Sequence, residues 1–265
     1  SMLAYSLPLI FATECNWIIS MSDRFFIEAM RSSHELGLYA VSSRIPTIMI
    51  LISSIFIDAW QISTINGSSR KEQEDFFTTV GNIYQALVVV LVSGIILFSK
   101  VFVFLFAAPS YYEAWTFIPL LVIGSGFACL SNFVNSVYTL EKKSTCTMAT
   151  VVLGAIVNIG LNILMIPSYG PQGAALATAI SYILMFLIRA IHCRRYITLR
   201  WEYLRFVVSG LVLVLQCFFM LREVPLWIPI EILLFATIVV LNGDDIWRAV
   251  CKILRRAVPR PRARS

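Results

Sequence analysis

Apolar residues run through this chain in blocks of roughly 20, separated by short clusters of charge, glycine and proline. A helix needs about 20 residues to cross a hydrocarbon core about 30 Å thick. The blocks lie near residues 3–22, 37–64, 77–106, 114–140, 145–166, 171–191, 204–221 and 226–242. The alternating pattern of a transmembrane barrel strand is absent. Each block is therefore expected to be a helix, whose backbone groups bond one another inside lipid. The pattern predicts an all-α, polytopic transmembrane bundle of about eight spans. Lys100, near the end of the third block, predicts a span followed by an interfacial segment, Val101–Ala107. The last two blocks are short and separated only by Arg222-Glu223-Val224-Pro225, which leaves a re-entrant hairpin as the alternative.

Composition narrows the class. Hydrophobic residues make up 58% and charged residues 14% of the 265, against roughly 25% charged in a soluble domain. A soluble domain fits nowhere. The net charge of +6 does not point to nucleic acid, because the basic residues sit in connections and the tail rather than on a folded face. Alternate connections hold Arg70 and Lys71, then Lys142 and Lys143, then Arg189, Arg194, Arg195, Arg200 and Arg205. The tail adds Arg248, Lys252, Arg255 and further arginines, whereas Arg24, Arg31, Lys100 and Arg222 fall on the opposite side. Such a bias predicts that both chain ends face the cytoplasm. In Trp247–Val258 the apolar and basic positions separate, which predicts an amphipathic helix on anionic headgroups. The six cysteines show no metal-ligand spacing and only two histidines accompany them, so neither metal nor cofactor is expected. Ser1-Met2-Leu3 runs into the first block without a basic n-region or cleavage site, and no signal peptide is expected.

Ionisable groups inside the blocks are the candidate chemistry, since they are costly in a bilayer and mark polar paths. Glu14 lies near the middle of the first block, with Thr13 and Asn16 beside it. It is either a cavity carboxylate for a cation or sugar hydroxyls, or a buried group bonding a neighbouring helix. Arg44 lies two turns inside the second block, just before Pro46. A guanidinium stays charged and can hold phosphate bidentately. The alternatives are an ion pair with Glu14 or Asp23, or snorkelling to the surface. Asp23 and Arg24 are expected to cap the first span at its outer end, solvated or as part of a gate. Asp58 shares Arg44's face but lies about 21 Å along the helix from it, so the two are expected to line one path without pairing. Asn158 and Asn162, one turn apart, read as a packing stripe that bonds another helix, as do Gly173, Ala177 and Ser181. Asn82, Gln85, Asn132 and Asn135 add amides suited either to sugar hydroxyls or to helix contacts.

Several segments, in order, resemble the C-terminal half of the bacterial polysaccharide flippases of the multidrug/oligosaccharidyl-lipid/polysaccharide (MOP) exporter superfamily. They are Tyr5-Ser6-Leu7-Pro8-Leu9-Ile10 continuing to Asn16-Trp17 and Ser22-Asp23-Arg24, then Leu36-Gly37-Leu38-Tyr39-Ala40, then Tyr111-Tyr112-Glu113-Ala114-Trp115 with Ile118-Pro119. Asn158-Ile159-Gly160-Leu161-Asn162, Ile166-Pro167-Ser168-Tyr169-Gly170 and Gly173-Ala174-Ala175-Leu176-Ala177-Thr178 complete the set. Phe11 stands where the family has a proline.

The resemblance implies helices seven to fourteen of a transporter whose N-terminal lobe is missing from this chain. Residues 1–191 would form a six-helix lobe, 192–243 two additional helices and 244–265 a basic cytoplasmic tail. The implied function is flipping of undecaprenyl-diphosphate-linked oligosaccharide across a bacterial inner membrane, for O-antigen or another surface polysaccharide. The implied partners are that lipid-linked oligosaccharide, the membrane lipids and the other lobe. A cation-coupled multidrug exporter is the alternative within the superfamily. A glycan polymerase or ligase would need paired acid and base groups on a sizeable outer loop, which Arg24–Leu36 does not offer beyond Glu28 and Glu35.

Overall fold

The computed structural model describes residues 2–64, 70–197, 200–223 and 226–257, and every regular element among them is helical. In chain order these are α1 (Met2–Met30), α2 (Ser33–Ser42), α3 (Arg44–Thr64), α4 (Arg70–Leu97) and α5 (Ser99–Phe106). After a 3-10 segment, Pro109–Phe117, come α6 (Ile118–Leu140), α7 (Ser144–His192), α8 (Tyr203–Arg222) and α9 (Trp227–Ala257). Among the described residues six stretches are long and apolar enough to cross a membrane. One of them, Ser144–Arg195, has 52 residues, about 78 Å of helix and more than twice the hydrocarbon thickness.

That stretch folds back on itself. Gly170 holds φ 56° and ψ −140° between Pro167 and Pro171. A Cβ on Gly173 would lie 2.5 Å from the Met165 carbonyl oxygen. Asn158 bonds Thr178, and Thr150 bonds Arg189. α7 is therefore a hairpin of two antiparallel arms, 144–169 and 171–192, matching the two blocks expected there. Helix α1, with 29 residues, is long enough for a further pass but is diluted by Glu14, Asn16, Asp23, Arg24 and Glu28. Counted this way the described helices make about eight passes. α8 has 20 residues, about 30 Å, and is a full pass rather than half of a re-entrant loop.

Three boundaries differ from the sequence expectation. α1 does not stop at 22 but runs through Asp23 and Arg24 to Met30. The second block is two helices with a break at Ser43. Pro46 has no N–H for the Ser42 carbonyl, while the Ser42 and Ser43 hydroxyls donate back to the Tyr39 and Ala40 carbonyls. Ser32 caps α2 by accepting from the Glu35 N–H, the arrangement expected from a Ser-x-x-Glu start. The interfacial segment after Lys100 appears as α5, beginning at Ser99. Of the predicted amphipathic tail Trp247–Val258, the helix continues to Ala257; side chains after Trp247 lie outside the described residues.

α6 and α7 form the centre, with α1 laid on α7, α3 on α6, and α4, α8 and α9 grouped beside them. Without a hydrophobic drive in lipid, helices approach through small residues. A Cβ on Gly124 of α6 would come 3.0 Å from the Ala179 Cα of α7. Ala12 and Ile19 of α1 pack on Val151, Ala155 and Met185 of α7. At one end of the bundle Lys100 Nζ pairs with Glu223 and sits 4.3 Å from the Trp115 ring centroid and 4.2 Å from that of Trp227. This joins α5, the 3-10 segment and the α8–α9 turn.

Gly170 has a backbone conformation closed to L side chains, with Arg31 and Glu35 3.2 Å from where a Cβ would stand. Gly170→Ala is expected to cost about 1–3 kcal/mol and to lower the thermal midpoint in detergent. Gly160→Ala, with nothing within 4 Å of its Cβ position, should leave the midpoint unchanged or slightly raised.

Candidate functional site

The sequence candidates fall into two environments. Glu14, Asn16, Arg44 and Asp58 are exposed, and none pairs with another described residue. The ion pairs considered between Arg44 and Glu14 or Asp23 do not form. Asp23 is instead 3% exposed, a correction to its reading as a solvated span end. Arg24 is half-buried and donates from Nη2 to the Ser43 hydroxyl at 3.2 Å, so α1 meets the break beside Arg44.

Along α3, Arg44, Thr47, Leu51, Ser54 and Asp58 follow alternating steps of three and four residues, and all are exposed. Such residues share one helix face, and the stripe is about 21 Å long. On α1, Thr13, Trp17, Ser20 and Arg24 follow the same spacing, with Asn16 on its flank. Glu14 stands beside this stripe, among exposed Ile10, Phe11, Trp17 and Ile18. Elsewhere the exposed residues of the spans are largely apolar, Leu87 and Leu91 on α4, Leu153, Ile156 and Leu164 on α7, Leu211 and Val214 on α8, Leu233 and Val240 on α9, while Asn132 of α6 is an exposed amide. Surfaces of the second kind suit lipid tails. A stripe that carries Arg44 and Asp58 does not.

Arg44 also stands at the edge of a groove of about 630 Å³ between α3, α4 and α5. Ile45, Ile48, Ile52, Leu91, Ile95 and Phe102 are among its lining, which is otherwise apolar. Arg44 therefore separates a polar stripe from an apolar trough.

Asp23 is the hub of a buried network. Its Oδ1 accepts from Asn162 Nδ2 at 2.7 Å, and its Oδ2 from Tyr39 Oη at 2.5 Å and Thr178 Oγ1 at 2.7 Å. Ser22 Oγ donates to Asn158 Oδ1 at 2.7 Å, and Asn158 Nδ2 to Thr178 at 3.1 Å. Asn162 Oδ1 has no partner among the described residues. The expected bonding of Asn158 and Asn162 across helices is thus directed at one carboxylate. Tyr39 and Thr178 were not singled out in the sequence. Their only signal is a polar atom inside segments of family resemblance. One carboxylate, two amide oxygens and three hydroxyls make an all-oxygen donor set of the kind hard cations take. A single carboxylate matches a single positive charge.

Arg189 also departs from expectation. It is not part of an inner connection but is 1% exposed within α7, donating to Thr150 and Ser131 at 3.0–3.2 Å. It ties α6 to both arms of α7. Asn135 accepts from Thr147, and Asn82 donates to the Arg200 carbonyl, so these amides serve as helix contacts.

No protein-family model matches the chain. The probable low-salt glycan biosynthesis flippase Agl15 of Haloferax volcanii is 25% identical over 215 residues, covering 77% of this chain and 44% of that protein. Among solved structures, the lipid II flippase MurJ in an inward closed conformation superposes with a TM-score of 0.68 at 16% identity, covering 94% of this chain and 55% of MurJ. A MOP superfamily transporter from Pyrococcus furiosus gives 0.54 at 18% identity, with 91% and 63% covered. The chain shares its fold with these transporters. It spans about half the length of the relatives it matches.

Asp23→Ala would leave Tyr39 Oη, Asn162 Nδ2 and Thr178 Oγ1 without their acceptor, at about 1–3 kcal/mol for each buried unsatisfied group. A large drop in the thermal midpoint is expected, with a smaller one for Asp23→Asn, which keeps an acceptor oxygen.

Proposed function

We propose that this chain forms one lobe of a flippase for polyprenyl-diphosphate-linked oligosaccharides. The observation that carries the reading is the contrast between surfaces: polar stripes with Glu14, Arg44 and Asp58 on α1 and α3, in a bundle whose α4, α7, α8 and α9 expose mostly leucine, isoleucine and valine. A lipid-linked oligosaccharide has a tail at home in the bilayer and a head that cannot enter it. A head crossing the membrane needs a wet, polar wall, and the tail needs an apolar one next to it. Arg44 stands where the two meet. Its guanidinium would hold the diphosphate, Glu14, Asn16 and Asp58 would face sugar hydroxyls or ordered water, and the groove beside Ile48 would take the first part of the tail. The glycan flippase relative and the MurJ-like fold support the substrate class.

In this reading residues 1–191 are the transporter lobe, 192–243 two added helices and 244–265 a basic tail, with both ends on the cytoplasmic side of a bacterial inner membrane. A second lobe closes the cavity, and rocking of one lobe against the other opens it to one side at a time. The cargo would be an O-antigen unit or another surface polysaccharide precursor. A monovalent cation or proton arriving at Asp23 would have to displace donors from Tyr39, Thr178 or Asn162. Its binding would shift α1 against α2 and α7, a means of coupling to an ion gradient. A drug exporter of the same fold would favour carboxylates alone over an unpaired arginine at the groove. The chemistry is transport, with no bond made or broken by the chain.

Arg44→Ala in the full-length protein is expected to lower surface glycan at least tenfold at normal protein level, as removal of a charge-assisted contact worth about 1.5–3 kcal/mol would. Arg44→Lys should recover part of it, and Glu14→Ala should also reduce display. Wild-type display in both alanine variants would remove Arg44 and Glu14 from the path.

A further inference from the structure

α6 is buried along most of its length, and Asn132 is its exposed amide, without a hydrogen bond to any other described residue. Its direction follows from the neighbours of α6, since successive residues turn by about 100° around the axis. Gly126 and Phe133 face α3 and α4: a Cβ on Gly126 would meet Val92 and Met49, and the Phe133 ring stacks on Tyr84. Ser131 and Asn135 face α7, where they bond Arg189 and Thr147. Asn132 points between these two sides, into the gap between α3, which lies on α6, and α1, which lies on α7. The same strip of α6 is buried at Leu121, Ser125 and Ala128 and open at Asn132 and Thr139. The gap is a cleft closed at one end.

At that closed end α1 and α3 touch through Arg24 and Ser43. Thr13, Trp17 and Ser20 share the Arg24 face of α1, and Thr47 and Ser54 share the Ser43 face of α3. The two polar stripes therefore look at each other across the cleft. Ser131 and Thr150 meet at Arg189, beside Val151, on which Ala12 and Ile19 pack. Tyr84 bonds Ser53 and stacks on both Phe56 and Phe133. Asn132 is thus level with Thr13 and Asn16 on one wall and Ser54 on the other, about 15–18 Å along α3 from Arg44. The charge along this path has one sign. From Arg44 to the Lys142–Lys143 turn, the described residues of α1, α3, α6 and α7 expose charge only as Glu14 and Asp58.

We propose that this cleft is a sugar-binding site with Asn132 as its floor, and that it takes neutral sugars and excludes acidic ones. An amide both donates and accepts, as a sugar hydroxyl or acetamido group does, and Asn16 repeats that chemistry on the wall. A sugar carboxylate would meet Asp58 and Glu14 with no cation beside it, and like charges so placed repel. The diphosphate stays with Arg44, so the selection falls on the glycan. The inference rests on the reading of Arg44 as the diphosphate holder and adds to it a restriction on the cargo.

The test measures binding of three probes to the full-length protein in lipid nanodiscs. They are farnesyl diphosphate, its conjugate with cellotriose, and the same conjugate with the outermost hydroxymethyl group oxidised to a carboxylate. The neutral conjugate should bind about 2- to 10-fold more tightly than the bare diphosphate, as one or two uncharged hydrogen bonds give. The acidic conjugate should bind at least about tenfold more weakly than the neutral one. Asn132→Ala should remove most of the neutral gain. Asp58→Asn should strengthen binding of the acidic conjugate, an effect that misfolding cannot mimic. The inference is overturned by equal binding of the two conjugates, by no gain over the bare diphosphate, by a gain that survives Asn132→Ala, or by an Asp58→Asn variant no better with the acidic conjugate. The bare diphosphate is judged separately: if it does not bind, or binds as well to Arg44→Ala, the reading of Arg44 fails and the comparison of conjugates still decides the cleft.

Discussion

The structure depends on one hydrogen-bonded carboxylate. Asp23 stands in α1 and is held by Tyr39 from α2 and by Asn162 and Thr178 from the two arms of α7. In a bilayer there is no water to take over these bonds, so the four segments are held to one geometry by the cost of leaving any of them unmade. The hairpin bend at Gly170 brings Asn162 and Thr178 to the same level. The small-residue contact of Ala12 with Val151 and Ala155 then lets α1 approach closely enough for Asp23 to reach them. Packing and polarity specify the same arrangement, which is why α1 can carry so many polar residues and still lie against the bundle.

A second constraint separates the surfaces. The outside of a membrane protein meets two solvents, and each exposed face must suit one of them. α4, α7, α8 and α9 present leucine, isoleucine and valine. α1 and α3 alternate these with hydroxyls, amides and charges. Many of the hydroxyls, Thr13, Ser20, Thr47 and Ser54 among them, bond their own helix carbonyls and would be tolerated in lipid. The polar character of these two faces therefore comes from Glu14, Asn16, Arg44 and Asp58, which have no such local partner among the described residues.

Much of this was legible in the sequence, and the misses have physical causes. Helix positions followed from run lengths, because the bilayer sets a minimum length that tolerates little else. The gap between the blocks 145–166 and 171–191 marked the hairpin bend. Asn158 and Asn162 were visible as a pair at i and i+4, but their target was not. Asp23 closes a polar Ser-Asp-Arg cluster after an apolar run, which is also what a span end looks like. Only the partners brought from Tyr39 and from beyond residue 150 reveal it as interior. Arg189 was misplaced for a similar reason: near the end of a block, a buried arginine and a loop arginine have the same local context.

The clamp around Lys100 has a consequence for how the chain sits in its membrane. Trp115 and Trp227 flank one ammonium group, so both indoles lie at one height, and tryptophan favours the boundary between headgroups and hydrocarbon. Two distant parts of the chain are thereby tied to a common waterline. A bilayer thinner than the helices cannot be met by letting α8 and α9 slide relative to α4 and α5, since the indoles would leave that line together. Mismatch must be taken up by tilting the bundle as a whole or by deforming the surrounding lipid.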